Sequence, residues 1–419
     1  MQWAGGTDDE AVHTSQYARL GMRDHISASS VVEMTQALVA TDTRNPPGQE
    51  RLAADVARQL LEPLGCTFEE IEPEPGRVSL IARLGAGGER PILIINGHLD
   101  VVPINPDGWS TDPFGGEVSD GRVWGRGTAD MKGGIAAAIE AVMALGRAGI
   151  DPPCDVVFHL VADEERGGRL GTDALGKAGL IRGDACIVPE PTSMAVCVAE
   201  RGLSVIDVTV HGRPAHASEP SRGLSAIEKA AKVVLAIHGA SFGHPAHPLL
   251  GSPTANAGVI HGGSGHNTVA ERCVLTVDHR LLPGQSGPDA VAEIRALIDA
   301  IADPDLRYDA ELVTFGEASE LATDHPWVSV VRSAISSVMG RSAPIVGMTF
   351  ATDARFVRND AGVPAVVCGP GGIEQAHVDD EWVGVDALVD AAAVYATLIA
   401  SFDEDAASAL RARPLAGRR

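Results

Sequence analysis

The sequence predicts an α/β fold into which a smaller α+β domain is inserted. Continuous apolar runs such as 91–95 and 154–161, typical of buried strands in a parallel sheet, are separated by segments with helical periodicity. Between 203 and 317 the strands instead alternate apolar and polar residues, and the predicted order becomes β-α-β-β-α-β, as in ferredoxin-like domains. The 419 residues therefore divide into a first domain, 1–202 with 318–419, and an inserted domain, 203–317.

The elements of the first domain follow from periodicity and from flanking residues. Ser30 is predicted to cap a helix that reaches Val39, because Glu33 stands three residues on, as in a capping box. The segment 104–129 is rich in Pro and Gly and longer than an ordinary connection, which predicts a functional loop. The other predicted elements are helix 49–61, strands 79–84 and 91–96, helix 130–149, strands 154–161 and 185–188, helix 326–339, strand 365–368 and helix 385–402.

The inserted domain is predicted to hold antiparallel strands and two helices. Its first strand, 203–211, alternates apolar and polar residues as a half-buried strand does. The elements that follow are predicted as helix 224–238, strands 255–261 and 269–280, helix 289–301 and strand 310–315.

The charge of the chain excludes two classes of partner. Lys plus Arg total 33 and Asp plus Glu total 56, which gives a net charge of −23 at pH 7. Such an acidic chain is a poor ligand for nucleic acid or for an anionic membrane. The acidity is interpreted as a contribution to solubility.

The cysteines and the N-terminus predict a cytoplasmic protein. The six cysteines form no CxxC pair and mostly stand in apolar runs, as reduced core residues do. No apolar run approaches the length of a transmembrane helix. Met1–Asp24 is polar, unlike a signal peptide, and residues 1–27 show no clear pattern.

Polar side chains follow the apolar strands, beginning with His98 and Asp100. Ligands of open α/β sheets bind beyond the carboxyl ends of the strands, so His98 is a candidate metal ligand. Asp100, two residues on, points to the same side at strand spacing. We predict that it orients His98 or a neighbouring group by accepting a hydrogen bond, rather than binding metal itself.

Further candidates stand at the ends of later strands and turns: Asp130, Glu164, Glu165, Glu190 and His377. Alone, the run 163–165 is interpreted as a solvated cluster of charges. On one sheet edge with two histidines, these carboxylates suit a pair of divalent ions, such as Zn²⁺, Co²⁺ or Mn²⁺, with one bridging carboxylate. Successive side chains at a strand end point apart, so one glutamate can bind metal while its neighbour acts as general base.

These motifs, in order over about residues 90–400, resemble the M20 family of co-catalytic metallohydrolases. That group includes acetylornithine deacetylase, succinyl-diaminopimelate desuccinylase, aminoacylase and the glutamate carboxypeptidases. The resemblance implies a mixed-sheet, three-layer metallopeptidase domain and two divalent metal ions, Zn²⁺ foremost, with Co²⁺ or Mn²⁺ as alternatives. The implied ligands are His98 and Glu190 on one metal, Glu165 and His377 on the other, and Asp130 bridging both.

The resemblance also implies a reaction. The expected activity is hydrolysis of the amide bond of a small N-acyl amino acid or dipeptide-like substrate, by attack of a metal-bridging water with Glu164 as general base. Asp100 matches the family's aspartate that supports the ligand histidine. A cis peptide bond is implied between Asp130 and Met131.

The inserted domain is implied to serve as a ferredoxin-like lid and homodimer interface. The motif 212–218 matches a family signature whose histidine reaches the partner's active site, so His216 is a candidate oxyanion donor. Asn267 matches a substrate-contacting asparagine. Arg280 is a candidate for holding a substrate carboxylate, with a structural salt bridge as the alternative.

Departures from the family pattern leave the substrate open. Residues 268–270 lack the usual Val-Pro or Ile-Pro, and the stretch 347–353 differs near the expected substrate floor. One alternative is hydrolysis of another carbon–nitrogen bond, in an aryl amine or an N-carbamoyl group, on the same scaffold. The other is a catalytically inactive metal-binding dimer, which the intact ligand set and Glu164 disfavour.

Overall fold

The computed structural model describes residues 21–413 and residue 415. The predictions made on residues 1–20 therefore lie outside the described residues. Within the described part, no single helix is long and apolar enough to cross a membrane, although one pair of helices bent by 87° passes that test of length and composition together.

Strands and helices alternate along the described chain. The strands are β1 Thr67–Ile71, β2 Ser79–Leu84, β3 Ile92–His98, β4 Glu117–Ser119, β5 Arg122–Trp124, β6 Asp155–Val161, β7 Ala185–Pro191, β8 Val196–Glu200, β9 Gly202–His211, β10 Thr254–Gly262, β11 Arg272–Leu281, β12 Arg307–Gly316, β13 Ser319–Glu320, β14 Ile345–Met348, β15 Ala365–Gly369 and β16 Trp382–Gly384. The α-helices are α1 Ala28–Val39, α2 Glu50–Leu61, α3 Gly133–Ala148, α4 Thr172–Lys177, α5 Ala226–Ile237, α6 Gly287–Asp299, α7 Pro326–Met339, α8 Ala354–Asn359, α9 Val385–Ser401 and α10 Glu404–Arg411.

Two compact units divide the chain. The first comprises the residues up to Val198 together with Leu321–Val346 and the residues from Phe356 onward; the second comprises Ala199–Glu320 and Gly347–Arg355. The predicted boundaries differ from these units chiefly at Gly347–Arg355, which was predicted to belong with the first domain.

A mixed sheet forms the centre of the first unit, with strand order β1-β2-β6-β3-β7-β15-β8 among the described residues. β3 is parallel to both β6 and β7, and β15 is parallel to β7. β2 lies between β1 and β6 and is antiparallel to both. Every residue of β6 and β7 is buried, as expected for strands covered on both faces. The predicted α/β class with a mixed central sheet is confirmed.

The first helix begins earlier than predicted. Ser27, not Ser30, is the N-cap of α1, and its side chain accepts a hydrogen bond from the backbone N–H of Ser30. The sequence offers serines at 27, 29 and 30, so the local pattern cannot choose among them. A tertiary contact fixes the choice, because the N–H of Ser27 donates to Glu140 on α3 at 2.7 Å.

The segment 104–129, predicted as a loop, contains two short strands. β4 and β5 form a hairpin, and β5 pairs with β16, which lies more than 250 residues later, so that Trp124 faces Trp382 in the register. Strands of three residues carry too little periodicity to be predicted from sequence. This three-stranded sheet anchors the loop that leads into Asp130.

In the second unit, the described residues form a four-stranded antiparallel sheet of order β10-β11-β9-β12 with helices α5 and α6. The chain order of these elements is β-α-β-β-α-β, as the sequence predicts. Alternate residues of β9 and β11 point into a core that also takes the apolar faces of both helices.

Candidate metal centre

The carboxyl ends of parallel strands bring the predicted side chains of the first unit together. His98 is the last residue of β3, Glu190 lies near the end of β7, and Glu165 lies in the 3₁₀ turn that follows β6. Parallel strands end on one edge of a sheet, so side chains separated by about 90 residues of sequence meet there. Gly134 at the start of α3 permits a close approach, because a Cβ there would lie 2.3 Å from the carbonyl oxygen of Pro189.

The first group of candidate ligands consists of His98, Asp130 and Glu190, all buried. His98 Nε2 lies 2.9 Å from Asp130 Oδ1 and 3.6 Å from Glu190 Oε1. The second group consists of Asp130, Glu165 and His377. His377 Nε2 lies 3.2 Å from Asp130 Oδ2 and 3.1 Å from Glu165 Oε2. The two oxygens of Asp130 therefore face different histidines, which is the arrangement of a bridging carboxylate.

The donor atoms of these residues fit two divalent ions. In each group the potential ligand atoms lie within 4.8 Å of one another, and the mixture of imidazole nitrogen and carboxylate oxygen is typical of Zn²⁺, Co²⁺ or Mn²⁺. Among residues 21–413, the buried Oε1 of Glu165 finds no hydrogen-bond partner. A buried carboxylate oxygen without a donor is costly, and a cation would satisfy it.

The pKa values of the ligand residues in the metal-free centre also indicate that it favours positive charge. Burial, followed by the charge of Asp130, raises the pKa of Glu190 well above its ordinary value. Burial also acts on His98, but the carboxylates of Glu190 and Asp130 outweigh it and raise its pKa. Hydrogen bonds to Asp130 and Glu165 raise the pKa of His377 to about 10. Without a cation, the closely spaced carboxylates therefore favour the protonated forms of Glu190 and of the two histidines.

Asp100 contacts His98 through its backbone carbonyl group rather than through its carboxylate. His98 Nδ1 lies 2.8 Å from the backbone carbonyl oxygen of Asp100, which accepts the hydrogen bond, whereas the nearer oxygen of the Asp100 carboxylate lies 3.7 Å away. The carboxylate instead accepts the backbone N–H groups of Glu164 at 3.1 Å and Glu165 at 3.2 Å. Asp100 therefore orients His98 through its main chain and the two glutamates through its side chain.

Glu164 follows β6 in a short 3₁₀ turn and is half-buried. Its negative charge contributes to the raised pKa values of His98 and Glu190, which puts its carboxylate within electrostatic reach of the first ligand group. The peptide bond between Asp130 and Met131 is cis, as the resemblance implies.

Glu381 is a further residue that contacts the candidate metal centre, and it was not predicted from the sequence. It is fully buried, and its Oε1 accepts the backbone N–H groups of Ala129 at 2.9 Å and Asp130 at 3.1 Å. Its other oxygen accepts a hydrogen bond from Arg126. In sequence it ends the acidic run 379–381, so only its spacing of four residues from His377 could have indicated its role.

Two predicted residues of the second unit lie on adjacent loops. His216 forms an isolated bridge with Thr268, and the N–H of Ala217 donates to the carbonyl of Asn267 at 3.0 Å. His216 is exposed, and its Nδ1 accepts the N–H of Ser218 at 3.2 Å. In a neutral ring the proton then resides on Nε2, which is available as a donor.

Arg280 has a partner within its own strand. Its Nε and Nη2 donate to the two carboxylate oxygens of Asp278 at 2.9 and 3.1 Å. This paired contact is the structural alternative stated for Arg280, and a substrate carboxylate would have to compete with it.

Comparisons with known proteins give a consistent family. The sequence profile of Peptidase family M20/M25/M40 matches residues 94–401. Acetylornithine deacetylase of Proteus mirabilis (strain HI4320) is 31% identical over 380 residues, which cover 88% of this chain and 94% of that protein.

Solved structures share the fold over nearly the whole chain. Aminopeptidase PepT from Bacillus cereus ATCC 10987 superposes with a TM-score of 0.75 at 23% identity, covering 90% of this chain and 99% of that one. The YXEP protein of Bacillus subtilis, described as a dinuclear metal binding peptidase, superposes with a TM-score of 0.68 at 14% identity, covering 89% of this chain and 97% of that one.

Proposed function

The chain belongs to peptidase family M20/M25/M40 and is a metal-dependent hydrolase of carbon–nitrogen bonds, and from this premise we propose that it cleaves the amide bond of a small N-acyl amino acid or dipeptide-like substrate. The observation that carries this proposal is the pair of ligand groups that share Asp130, with Glu164 beside them. The name of the Proteus mirabilis relative, acetylornithine deacetylase, supports an N-acyl amino acid as substrate.

We propose that the five ligands hold two divalent ions, with Zn²⁺ as the first candidate and Co²⁺ or Mn²⁺ as alternatives. His98 and Glu190 would hold one ion, Glu165 and His377 the other, and Asp130 both. Bound there, the ions would polarise the amide carbonyl and make water a stronger acid. The dinuclear site described for the YXEP protein supports this occupancy.

Glu164 is proposed as the general base and then the general acid. It takes a proton from the attacking water and returns it to the nitrogen of the leaving amine, so that the carboxylate is regenerated in each cycle. Support comes from two observations: Glu165 belongs to a ligand group whereas Glu164 does not, and the charge of Glu164 contributes to the raised pKa values of His98 and Glu190.

His216 is proposed as the donor that stabilises the negative oxygen of the tetrahedral intermediate, with Asn267 contacting the substrate. The exposed ring of His216 supports a role toward a ligand outside its own loop, because its Nδ1 accepts the N–H of Ser218 and leaves the ring proton on Nε2. Arg280 is proposed to bind a substrate carboxylate only if that group displaces Asp278.

A homodimer formed through the second unit is also proposed. Strand β10 is an edge of the four-stranded sheet, and Val259 and Ile260 on it are 45% and 50% exposed. On helix α5, Leu235 is 76% exposed and Ile227 is 45% exposed. Apolar side chains on an open strand edge and a neighbouring helix are suited to cover the same surface of a second copy.

A cytoplasmic location is proposed from the cysteines. All six cysteines are free thiols, and five of them are buried. Burial raises the pKa of the Cys186 and Cys368 thiols, which makes them poor nucleophiles for disulfide exchange. Free, buried thiols are typical of proteins kept in a reducing compartment.

A substrate panel tests the proposed activity. Metal-depleted protein is reconstituted with Zn²⁺, Co²⁺ or Mn²⁺ and offered N-acetyl amino acids, dipeptides, N-carbamoyl amino acids and aryl amines. We expect turnover of the first two classes only. Preference for a carbamoyl or aryl amine substrate would replace the proposed substrate class, and failure on every class would favour a catalytically inactive metal-binding dimer.

Substitution of Glu164 tests the proposed base. Glu164→Ala should retain both metal ions, because Glu164 belongs to neither ligand group, and should lose turnover by about 100-fold or more. The measurement pairs metal analysis of the purified variant with kcat on the best N-acyl substrate. Near wild-type kcat in a fully metal-loaded variant would rule out Glu164 as the base.

A further inference from the structure

We propose that Arg77, together with Glu50 and Asp163, positions the loop that carries Glu164 and Glu165. Among residues 21–413, none of the three belongs to either group of candidate metal ligands. They act on the main chain that presents the base and one metal ligand. The inference rests on the proposed function for the meaning of Glu164, and its test separates the two.

Arg77 is the central cation of a buried charge cluster. Its Nε and Nη2 donate to the two oxygens of Glu50, both at 2.8 Å, and Nη2 also donates to Asp163 Oδ1 at 2.9 Å. Arg77 is 8% exposed and Glu50 is fully buried. Burying an ion pair in this way gains little net stability compared with an apolar replacement, so its stability contribution alone does not account for it.

Asp163 receives this contact in a conformation that needs support. Its φ of 69° lies in the left-handed region, which side chains other than glycine adopt at a cost. Its N–H donates to Glu50 at 3.3 Å, and its Oδ2 accepts the N–H of Leu170 at 3.2 Å. Asp163 is thus held at both its main chain and its side chain, directly before Glu164.

The contacts continue to the residues next to the metal centre. Asn45 Nδ2 donates to Asp163 Oδ1 at 3.1 Å and to Asp100 Oδ2 at 2.9 Å. Asp100 in turn accepts the N–H groups of Glu164 and Glu165. A continuous set of hydrogen bonds therefore runs from Glu50 to the backbone of both glutamates.

Gly48 leaves room for the guanidinium of Arg77. Gly48 has a φ of +77°, and a Cβ there would lie 2.3 Å from Arg77 Nε. The turn after Asn45 is therefore shaped around the Arg77 side chain. The planar guanidinium can reach two carboxylates at once, whereas a lysine ammonium in the same place is a point charge that cannot reproduce the fork.

The experiment replaces Arg77 by Lys and follows metal binding as well as turnover. In Arg77→Lys we expect the affinity for the more weakly bound Co²⁺ to fall about 10- to 100-fold, with a changed visible spectrum of the Co²⁺-loaded protein, because Glu165 loses its fixed orientation. We expect kcat to fall while KM changes little, since Glu164 acts in the transition state.

Arg51→Lys is the matched control, because Arg51 lies near Arg77 in sequence but pairs with Glu70 and Glu72 at the surface with its side chain 39% exposed. Wild-type Co²⁺ affinities, spectrum and kcat in a folded Arg77→Lys protein would overturn the proposal and leave a structural role only. If Arg77→Lys does not fold, Asp163→Asn, which keeps the shape of the side chain, is judged by the same readouts.

The two proposals fail in different ways. If the wild-type protein hydrolyses no amide yet the Co²⁺ spectrum and affinity change in Arg77→Lys, the proposed function fails and the positioning role stands. If the wild-type protein is active and neither metal binding nor kcat responds to the substitution, the positioning role fails alone.

Discussion

Glu381 fixes the residue that both metal ions would share. Its carboxylate accepts two successive backbone N–H groups, including that of Asp130, and is itself held by Arg126. Hydrogen bonds to the main chain, and not only contacts of its side chain, therefore hold Asp130 in the bridging position. Hydrogen bonds that orient a metal ligand tune metal affinity although the residues that make them touch no metal.

Glu381→Gln should weaken metal binding by about 10- to 100-fold, because the amide nitrogen cannot accept a hydrogen bond from Arg126 or from the turn before Asp130. Affinity is measured by competition with a chromophoric chelator. Glu374→Gln, an exposed carboxylate on the neighbouring turn, is the control and should leave the affinity unchanged. Equal affinities in the two variants would show that Glu381 does not support the centre.

Residues next to strand ends were predictable, and their supports were not. His98, Glu165 and Glu190 follow apolar runs, so their common edge could be inferred from sequence. Glu50 and Arg77 stand 27 positions apart and meet Asp163 much later in the chain. Glu50 begins an amphipathic helix, where an acidic residue is expected to face solvent, and no local pattern shows that it is buried.

At the scale of elements, strand β6 lies inside the sheet and carries a buried titratable residue. His159 on this strand is fully buried, and neither ring nitrogen has a hydrogen-bond partner among residues 21–413. Burial, with a smaller contribution from the charge of Arg83, lowers its pKa from 6.5 to about 4. The folded protein therefore keeps His159 neutral where the unfolded chain would protonate it.

Acid should destabilise the metal-free protein partly through His159. Between pH 4 and 6.5 the unfolded state binds the extra proton, so the free energy of unfolding falls as pH drops through this window. At about 1.4 kcal/mol per pKa unit, the loss from pH 7 to 4.5 is about 2–3 kcal/mol. Urea unfolding at both pH values should show a smaller loss in His159→Gln than in the exposed control His238→Gln. Equal losses in both variants would contradict this origin.

The long elements were predicted closely, and the short ones were missed. β2 and α7 have the predicted bounds, since their apolar spacing extends over many residues. β4, β5 and β16 are three residues long and are stabilised by pairing across the chain. Tertiary contacts, which sequence periodicity does not report, decide such strands and the N-cap at Ser27.

At the scale of the whole molecule, the proposed homodimer predicts a concentration-dependent mass. Leu235→Glu combined with Ile260→Glu places two charges on the exposed apolar surface of the second unit and should yield monomers by light scattering. Val118→Glu, at an apolar residue of the first unit that is 47% exposed, is the control and should leave the mass unchanged. A dimer that survives the double substitution would exclude this surface as the interface.

The family and the class of reaction were predictable because the ligand motifs are spread over most of the chain in a fixed order. The family match confirms the predicted resemblance and the hydrolase class. The substrate was not predictable, since the sequence departs from the family pattern at residues 268–270 and 347–353.

The central claim, a two-ion hydrolytic centre, is tested most directly by titrating the metal-depleted protein with Zn²⁺. Bound metal per chain and release of free amine from an N-acyl amino acid are measured in the same samples. The ligand groups predict no turnover without metal and saturation of binding at two ions per chain, with turnover appearing as the ions bind. Turnover in the presence of a strong chelator, or saturation at a single ion, would contradict the claim.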